Sequence, residues 1–291
     1  MPELPEVETI VRDLNNSVKG QKIKDAWVDR EKIIKQISFK DFVRRVRGRK
    51  IVKVRRRAKY ILIDLTDNQT MIVHQKISGH LLCGKWKIEN NKPKCLSSGP
   101  LKSDSQNGYI RLVLFLNNGK AIGLSDLRRF AKVLLIDTNK VEQLKEIKEL
   151  GPEPMEKSFD LDVFKQIIIK KSGKIKQVLM DPKVISGIGN IYSDEILWYA
   201  KINPIRPANS LKHNELKAIY QSMKKVLQIA IDSKGDSMKD YRRLSGELGG
   251  YQYRQKVYQA TGTKCKRNDG GIIKRIKVNS RSAHFCPVCQ K

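Results

Sequence analysis

Beyond an opening helix, the apolar period of this chain changes near residue 136, and the change demands two architectures in one polypeptide. Before it, short runs rich in β-branched residues recur at 60–65, 70–73, 109–116 and 132–136. Such runs read as strands, and Asn118-Gly119 between two of them is a hairpin turn signal. Residues 85–108 are polar and turn-rich, which predicts a long loop. From about residue 139 the apolar positions recur every three or four residues, as in Phe164, Ile167, Ile168 and in Leu216, Ile219, Tyr220, Met223, Leu227, Ala230. That is a helical stripe. A helix also opens the chain, carried by Val7, Ile10, Val11, Leu14 and Val18, with Pro5 suited to its first turn. Gly151-Pro152-Glu153-Pro154 punctuates the two halves.

The fold class expected is therefore α+β and multidomain. Residues 1–136 form a β domain, a sandwich or a barrel, with flanking helices. A linker spans 137–156, a helical domain 157–254, and a small basic, cysteine-bearing hairpin 255–291.

Charge narrows the partners. The chain of 291 residues holds 59 Lys+Arg against 30 Asp+Glu, a net +29. Solubility needs far less, so a polyanion is implied, nucleic acid first and an anionic membrane surface second. There is no apolar run of about 18 residues and no signal-peptide core, so a soluble intracellular protein is expected. Three of the five cysteines fall within the last 27 residues, a placement that suits a metal site better than a disulfide framework.

The N-terminal sequence Met1-Pro2-Glu3-Leu4-Pro5-Glu6 carries the sharpest chemical hint. Removal of Met1 would leave Pro2 as a free secondary amine, less basic than a lysine by about two to three pKa units. The positive end of the first helix dipole lowers it further. A partly neutral amine attacks an electrophilic sugar carbon to form an iminium ion. The same dipole keeps Glu3 ionised, which opposes a general-acid role. A Pro-rich lead-in without chemistry explains the nonapeptide equally well.

Four further motifs stand out. Ser186-Gly187-Ile188-Gly189-Asn190 precedes a helix and fits either a phosphate cradle or an Asn-capped turn. Lys53, Arg55, Arg57 and Lys59 alternate along one strand face, opposite Val54. Asp126-Leu127-Arg128-Arg129-Phe130 sets two guanidiniums before a ring, able to read or wedge bases, or else to form an Asp126–Arg128 ion pair beside a core Phe130. Cys265 and the C-x-x-C pair Cys286 and Cys289 suit tetrahedral zinc. The expected fourth position holds Asn268, leaving His284, Asp269 or water as the fourth ligand, or a metal-free hairpin.

Together these segments resemble the formamidopyrimidine-DNA glycosylase family over nearly the whole length. The family order appears as MPELPEVET, RRAKY (residues 56–60), the His74-to-Gly79 element, DLRRF, LGPEP (150–154), the LMD…GIGNIY stretch and a basic C-terminal ribbon. The resemblance implies an N-terminal β-sandwich, a helix–two-turn–helix domain, a zinc-ribbon-like hairpin, damaged duplex DNA as partner, and a monomer in the cytoplasm at the nucleoid. It implies excision of oxidised purines, 8-oxoguanine and formamidopyrimidines, followed by β,δ-elimination at the abasic site.

By the same resemblance Pro2 is the nucleophile, with Glu3 and Lys59 as further catalytic residues. Glu6 and Lys239 belong to the lesion pocket, and residues 237–251 to a loop closing over the everted base. Lys59, His74, Asn190 and Arg281 grip phosphates. Ile77, Arg128 and Phe130 fill the gap in the duplex, with Arg129 beside them. Ile77 departs from the usual methionine, and Asn268 from a zinc cysteine. An endonuclease VIII-like preference for oxidised pyrimidines is the nearer rival, although that branch typically has glycine after the first glutamate. A non-catalytic basic nucleic-acid-binding protein is the more distant one.

Overall fold

The structure is a computed structural model describing residues 1–238 and 240–291. It divides into two compact units, Met1–Lys148 with Ser233–Gly250, and Glu149–Asp232 with Tyr251–Lys291.

The first unit runs α1 (Leu4–Val18), β1 (Ile23–Val28), α2 (Phe39–Val46), β2 (Ile51–Arg57), β3 (Tyr60–Leu65), β4 (Gln69–His74), β5 (Gly79–Gly84), β6 (Trp86–Glu89), β7 (Lys92–Cys95), α3 (Pro100–Ser103), β8 (Ile110–Leu116), β9 (Ala121–Asp126), β10 (Lys132–Asp137) and α4 (Lys145–Lys148). Two four-stranded antiparallel sheets, β1-β8-β9-β5 and β10-β4-β3-β2, form the β-sandwich. Ile63, Met71 and Val73 of one sheet meet Leu81, Leu112, Leu114, Ile122 and Leu124 of the other in a common core. Alternation along each strand supplies that inner face.

Helix α1 forms because Pro5 presets its first turn and the stripe predicted for it is buried. Val7, Ile10, Leu14 and Val18 have no exposed surface. Burial of each contributes about 1.5–3 kcal/mol as an upper range, far more than helix propensity supplies. Asn15 fixes its roll by bracketing Val54, donating to the carbonyl at 2.6 Å and accepting from the amide at 2.9 Å.

The segment 85–108 is not one loop. It folds into the hairpin β6–β7 across Asn90-Asn91, both with positive φ, the two-residue turn that matches strand twist. Trp86 and Leu101 bury it against Leu82, Ile110, Val113 and Ala121. Residues Ser233–Gly250, assigned by sequence to the 157–254 domain, cluster instead with the sandwich. Tyr241 and Leu244 join its core, Leu244 O accepts from Cys83 N at 2.8 Å, and Arg243 pairs with Asp13.

The second unit contains α5 (Leu161–Ile168), α6 (Ile175–Met180), α7 (Asn190–Ala200), α8 (His213–Asp232) and the hairpin β11 (Lys274–Val278) with β12 (Arg281–Phe285). Leu179, Ile188, Tyr192, Ile196, Ile219, Met223 and Leu227 make its core. Between α6 and α7 the chain makes two turns, with Val184 and Ile185 amides on Asp181 O and Gly187 at φ +94. Gly151 N donates to Pro182 O and Ser186 N to Pro152 O, so the 151–152 stretch is bonded to those turns. A Cβ at Gly151 would collide with the Lys183 and Val184 backbone, which is why glycine stands there.

Candidate active site, nucleic-acid interface and metal centre

The start of α1 assembles a compact polar group in the first unit. Pro2 is buried, and Glu3 and Glu6 are each 2% exposed. Glu3 is the N-cap, and the two carboxylates close a reciprocal capping box, with Glu6 Oε2 accepting from Glu3 N at 2.7 Å. Glu6 Oε1 accepts from Asp236 N at 2.8 Å, so one carboxylate ties the N-terminus to the base of the 237–251 segment. Gly235 is at φ +82 there, and a Cβ would press on Glu6 and Tyr241. Lys239 lies outside the described residues.

The terminal amine at Met1 is held below its ordinary pKa, by burial first and also by Lys59, against the pull of Glu3 and Glu6. An amine at this place is therefore biased toward its neutral, nucleophilic form. Lys59 sits in the turn between β2 and β3, after Ala58 at φ +52, and does not continue the alternating strand face. On that face Lys53 and Arg55 both meet Asp64 (3.8 and 2.8 Å), while on the opposite face Arg56 pairs with Glu8 at 2.9 Å. Part of the basic run is thus neutralised internally.

Ile77, Arg128 and Phe130 share one device. Asp126 has no exposed surface. It accepts from Ser78 Oγ at 2.6 Å, from Arg128 N at 3.2 Å and from Ala131 N at 2.7 Å. Ser78 Oγ in turn accepts from Arg128 N at 3.1 Å. The Asp126–Arg128 ion pair considered from sequence does not form, because the carboxylate is committed to the loop backbone. The loop then presents Phe130, 51% exposed, with the Arg128 guanidinium 5.0 Å from its ring centroid, and Ile77 is 40% exposed nearby in sequence to Ser78. An exposed Phe130 replaces the core reading. Arg129, at φ +58, turns to Asp29 at 3.1 Å.

His74 ends β4, 8% exposed, edge-on to Tyr60 at 4.5 Å. Burial first, then Lys76, Lys132 and Lys59, hold its pKa down at about 3. Its Nδ1 accepts from Lys76 N at 3.0 Å, so the neutral ring carries its proton on Nε2. The ring is a hydrogen-bond donor, not a cation.

In the second unit Asn190 is the first residue of α7, Gly189 being the N-cap, so the side-chain cap considered from sequence is absent. Asn190 Oδ1 is buried without a hydrogen-bond partner among the described residues. Arg281 is exposed at the start of β12. Sequence reasoning missed what holds that hairpin. Buried Lys176 donates to Asp194 Oδ1 and to Ser282 O, each at 2.6 Å, while Asp194 Oδ2 accepts from His284 N at 3.0 Å and lies 2.9 Å from His284 Nδ1. Glu195 accepts from the amides of Lys256, Val257 and Tyr258. A lysine within the apolar Ile175–Met180 segment was the available signal.

Cys265, Asp269, Cys286 and Cys289 bring their ligand atoms within 4.8 Å of one another. Cys265 and Cys289 sulfurs are 3.9 Å apart. This donor set and spacing fit zinc.

Comparison with known proteins agrees along the whole length. Residues 1–133 match the formamidopyrimidine-DNA glycosylase N-terminal domain, 150–242 the formamidopyrimidine-DNA glycosylase H2TH domain, and 262–291 the zinc finger found in FPG and IleRS. The formamidopyrimidine-DNA glycosylase of Herpetosiphon aurantiacus is 38% identical, with all of both chains covered. That of Pelotomaculum thermopropionicum is 35% identical over 100% of this chain and 99% of its own. Among solved structures, Lactococcus lactis Fpg with abasic-site DNA is similar at TM-score 0.87 and 32% identity over 99% of each chain. The same protein with N7-benzyl-Fapy-dG DNA gives 0.86 and 32% over 100% of each. The chain belongs to the formamidopyrimidine-DNA glycosylase family.

Proposed function

We propose that this protein removes oxidised purines from duplex DNA and then cuts the abasic strand by β,δ-elimination. The observation that carries the reading is the buried group around the N-terminus, where burial and Lys59 depress an amine that Glu3 and Glu6 flank. Once Met1 is removed, the Pro2 nitrogen is the terminal amine. It attacks C1′, the glycosidic bond breaks with protonation of the departing base, and the sugar ring opens to an iminium. The iminium withdraws electrons from C2′, whose proton is lost as the 3′ phosphate departs. A second elimination releases the 5′ phosphate, and hydrolysis frees Pro2.

Glu6 shapes the lesion pocket through its tie to Asp236. Extruding a base from the stack costs a few kcal/mol and is easiest where pairing is already weak. Arg128, Phe130 and Ile77 fill the vacated space, held by Asp126. Lys59, His74, Asn190 and Arg281 bind phosphates, His74 as a neutral donor. Zinc bound in the ribbon would brace the hairpin that carries Arg281 and takes no part in the eliminations. The protein acts as a monomer at the nucleoid.

Duplexes containing 8-oxoguanine opposite C, thymine glycol, or an abasic site test the reading together. Preferential excision of 8-oxoguanine with nicking of the abasic strand is expected. Thymine glycol preference would select the endonuclease VIII-like alternative. Tight binding without any nicking would select a non-catalytic DNA-binding protein.

A further inference from the structure

We propose that the ribbon binds its zinc through three thiolates and one carboxylate, Cys265, Cys286, Cys289 and Asp269, the fourth ligand having moved one residue along the chain from the place a second C-x-x-C pair would give it.

The first knuckle shows how the shift is accommodated. Asn268 N donates to Cys265 O at 3.0 Å, and Asn268 itself is in the left-handed region at φ +55, which asparagine tolerates better than most residues. The following residue, Asp269, is turned inward, its Oδ1 fixed by Gly271 N at 2.9 Å. Gly271 is required beside it, since a Cβ there would collide with Cys286 Sγ and crowd Asp269. The carboxylate oxygens lie 3.4 and 3.6 Å from Cys286 Sγ, and the Cys265 and Cys289 sulfurs are 3.9 Å apart. Zinc–sulfur bonds of about 2.3 Å and a zinc–oxygen bond of about 2.0 Å in a tetrahedron need sulfurs about 3.8 Å apart and sulfur to oxygen about 3.5 Å. Both spacings are already present.

The other candidates have different employment. His284 is buried and its Nδ1 is bound to Asp194 at 2.9 Å, next to Lys176, while its ring meets Tyr258 edge-on. Asn268 offers only a neutral amide oxygen, a weaker donor than the adjacent carboxylate. Three thiolates and one carboxylate on a divalent ion leave the same net −2 as four thiolates. The basic hairpin beside the site therefore meets the same charge, but one ligand is hard and cannot be oxidised. Such a set is less selective for soft cadmium over zinc than four sulfurs.

The test uses the full-length protein and two readouts independent of DNA cleavage. Zinc content is measured by elemental analysis after competition with a chelator. Cobalt substitution then counts thiolates by the intensity of sulfur-to-cobalt charge transfer. The proposal expects one zinc per chain and a three-thiolate cobalt spectrum. Asp269→Ala should weaken zinc at least about tenfold, the scale that even indirect ligand supports carry. Asn268→Ala and His284→Gln should keep the three-thiolate spectrum. Asp269→Cys should bind zinc, gain a fourth thiolate signal and raise the cadmium-to-zinc preference. If Asp269→Ala does not fold, the Asp269→Cys spectrum decides on its own. Unchanged zinc affinity in Asp269→Ala, loss of the ion in Asn268→Ala, or an unchanged thiolate count in Asp269→Cys would each overturn the assignment.

Discussion

Asp126 is the residue on which the 126–131 loop turns. It is wholly buried and receives a hydroxyl and two backbone amides. Hydrogen bonds to a charged group are worth about 1.5–3 kcal/mol each, and an orphaned buried donor costs about 1–3 kcal/mol. Asp126→Ala should therefore lower unfolding free energy by several kcal/mol in urea titration and weaken abasic-duplex binding in parallel. Phe130→Ala should weaken binding while leaving stability nearly unchanged, because that ring is half exposed. His74 gives a pH prediction. Its folded pKa, about 3, lies below the ordinary 6.5, so the unfolded state takes up the proton first. Its contribution to stability is complete above pH 6.5 and is lost as pH falls toward 3, by at most about 1.4 kcal/mol per pH unit. His74→Gln should flatten that limb of a Tm-versus-pH curve. DLRRF was readable as a loop setting two guanidiniums before a ring, but its internal wiring was not, since Ser78 lies 48 residues away from Asp126.

At the level of elements, the strands and helices carried by clear periodicity are where the sequence puts them: β3, β4, β8, β10, α1, α5 and α8. The β6–β7 hairpin was not legible. Its strands are four residues long, too short for their alternation to stand out within a polar stretch, and Pro93 sits inside the second. The Lys176–Asp194–His284 chain left only one trace, a lysine in an apolar segment, because its members meet only after α6, α7 and β12 pack. Lys176 reaches Asp194 across 18 residues and Ser282 across 106. Removing one partner of a buried pair strands the other, at about 3–5 kcal/mol. Lys176→Ala should produce that loss in denaturant unfolding, and should weaken DNA binding through a displaced Arg281 hairpin. Gly235→Ala, which presses a methyl on Glu6 and Tyr241, should impair base excision more than cleavage of a preformed abasic site.

Over the whole molecule, the net +29 states that a polyanion is bound but not where. Some of the basic side chains are paired internally, as Arg56 with Glu8, Lys53 and Arg55 with Asp64, and Arg111 and Arg129 with Asp29. Of the four phosphate-gripping candidates, only Lys59 and Arg281 carry charge, His74 being neutral and Asn190 an amide. Each neutralised phosphate contributes about −0.9 to the slope of log K against log salt. The double variant Lys59→Ala, Arg281→Ala should therefore flatten the slope by about 1.8, whereas His74→Gln should lower affinity and leave the slope alone. The family was legible from motif order. The return of Ser233–Gly250 to the sandwich was not, since it depends on tertiary bonds such as Glu6 to Asp236. The most direct test is borohydride trapping on abasic duplex, followed by peptide mass mapping. The account predicts a covalent adduct on the nitrogen of Pro2 in chains that have lost Met1, and none on Pro2 in chains that retain it. An adduct on Lys59, or full incision by chains still carrying Met1, would contradict it.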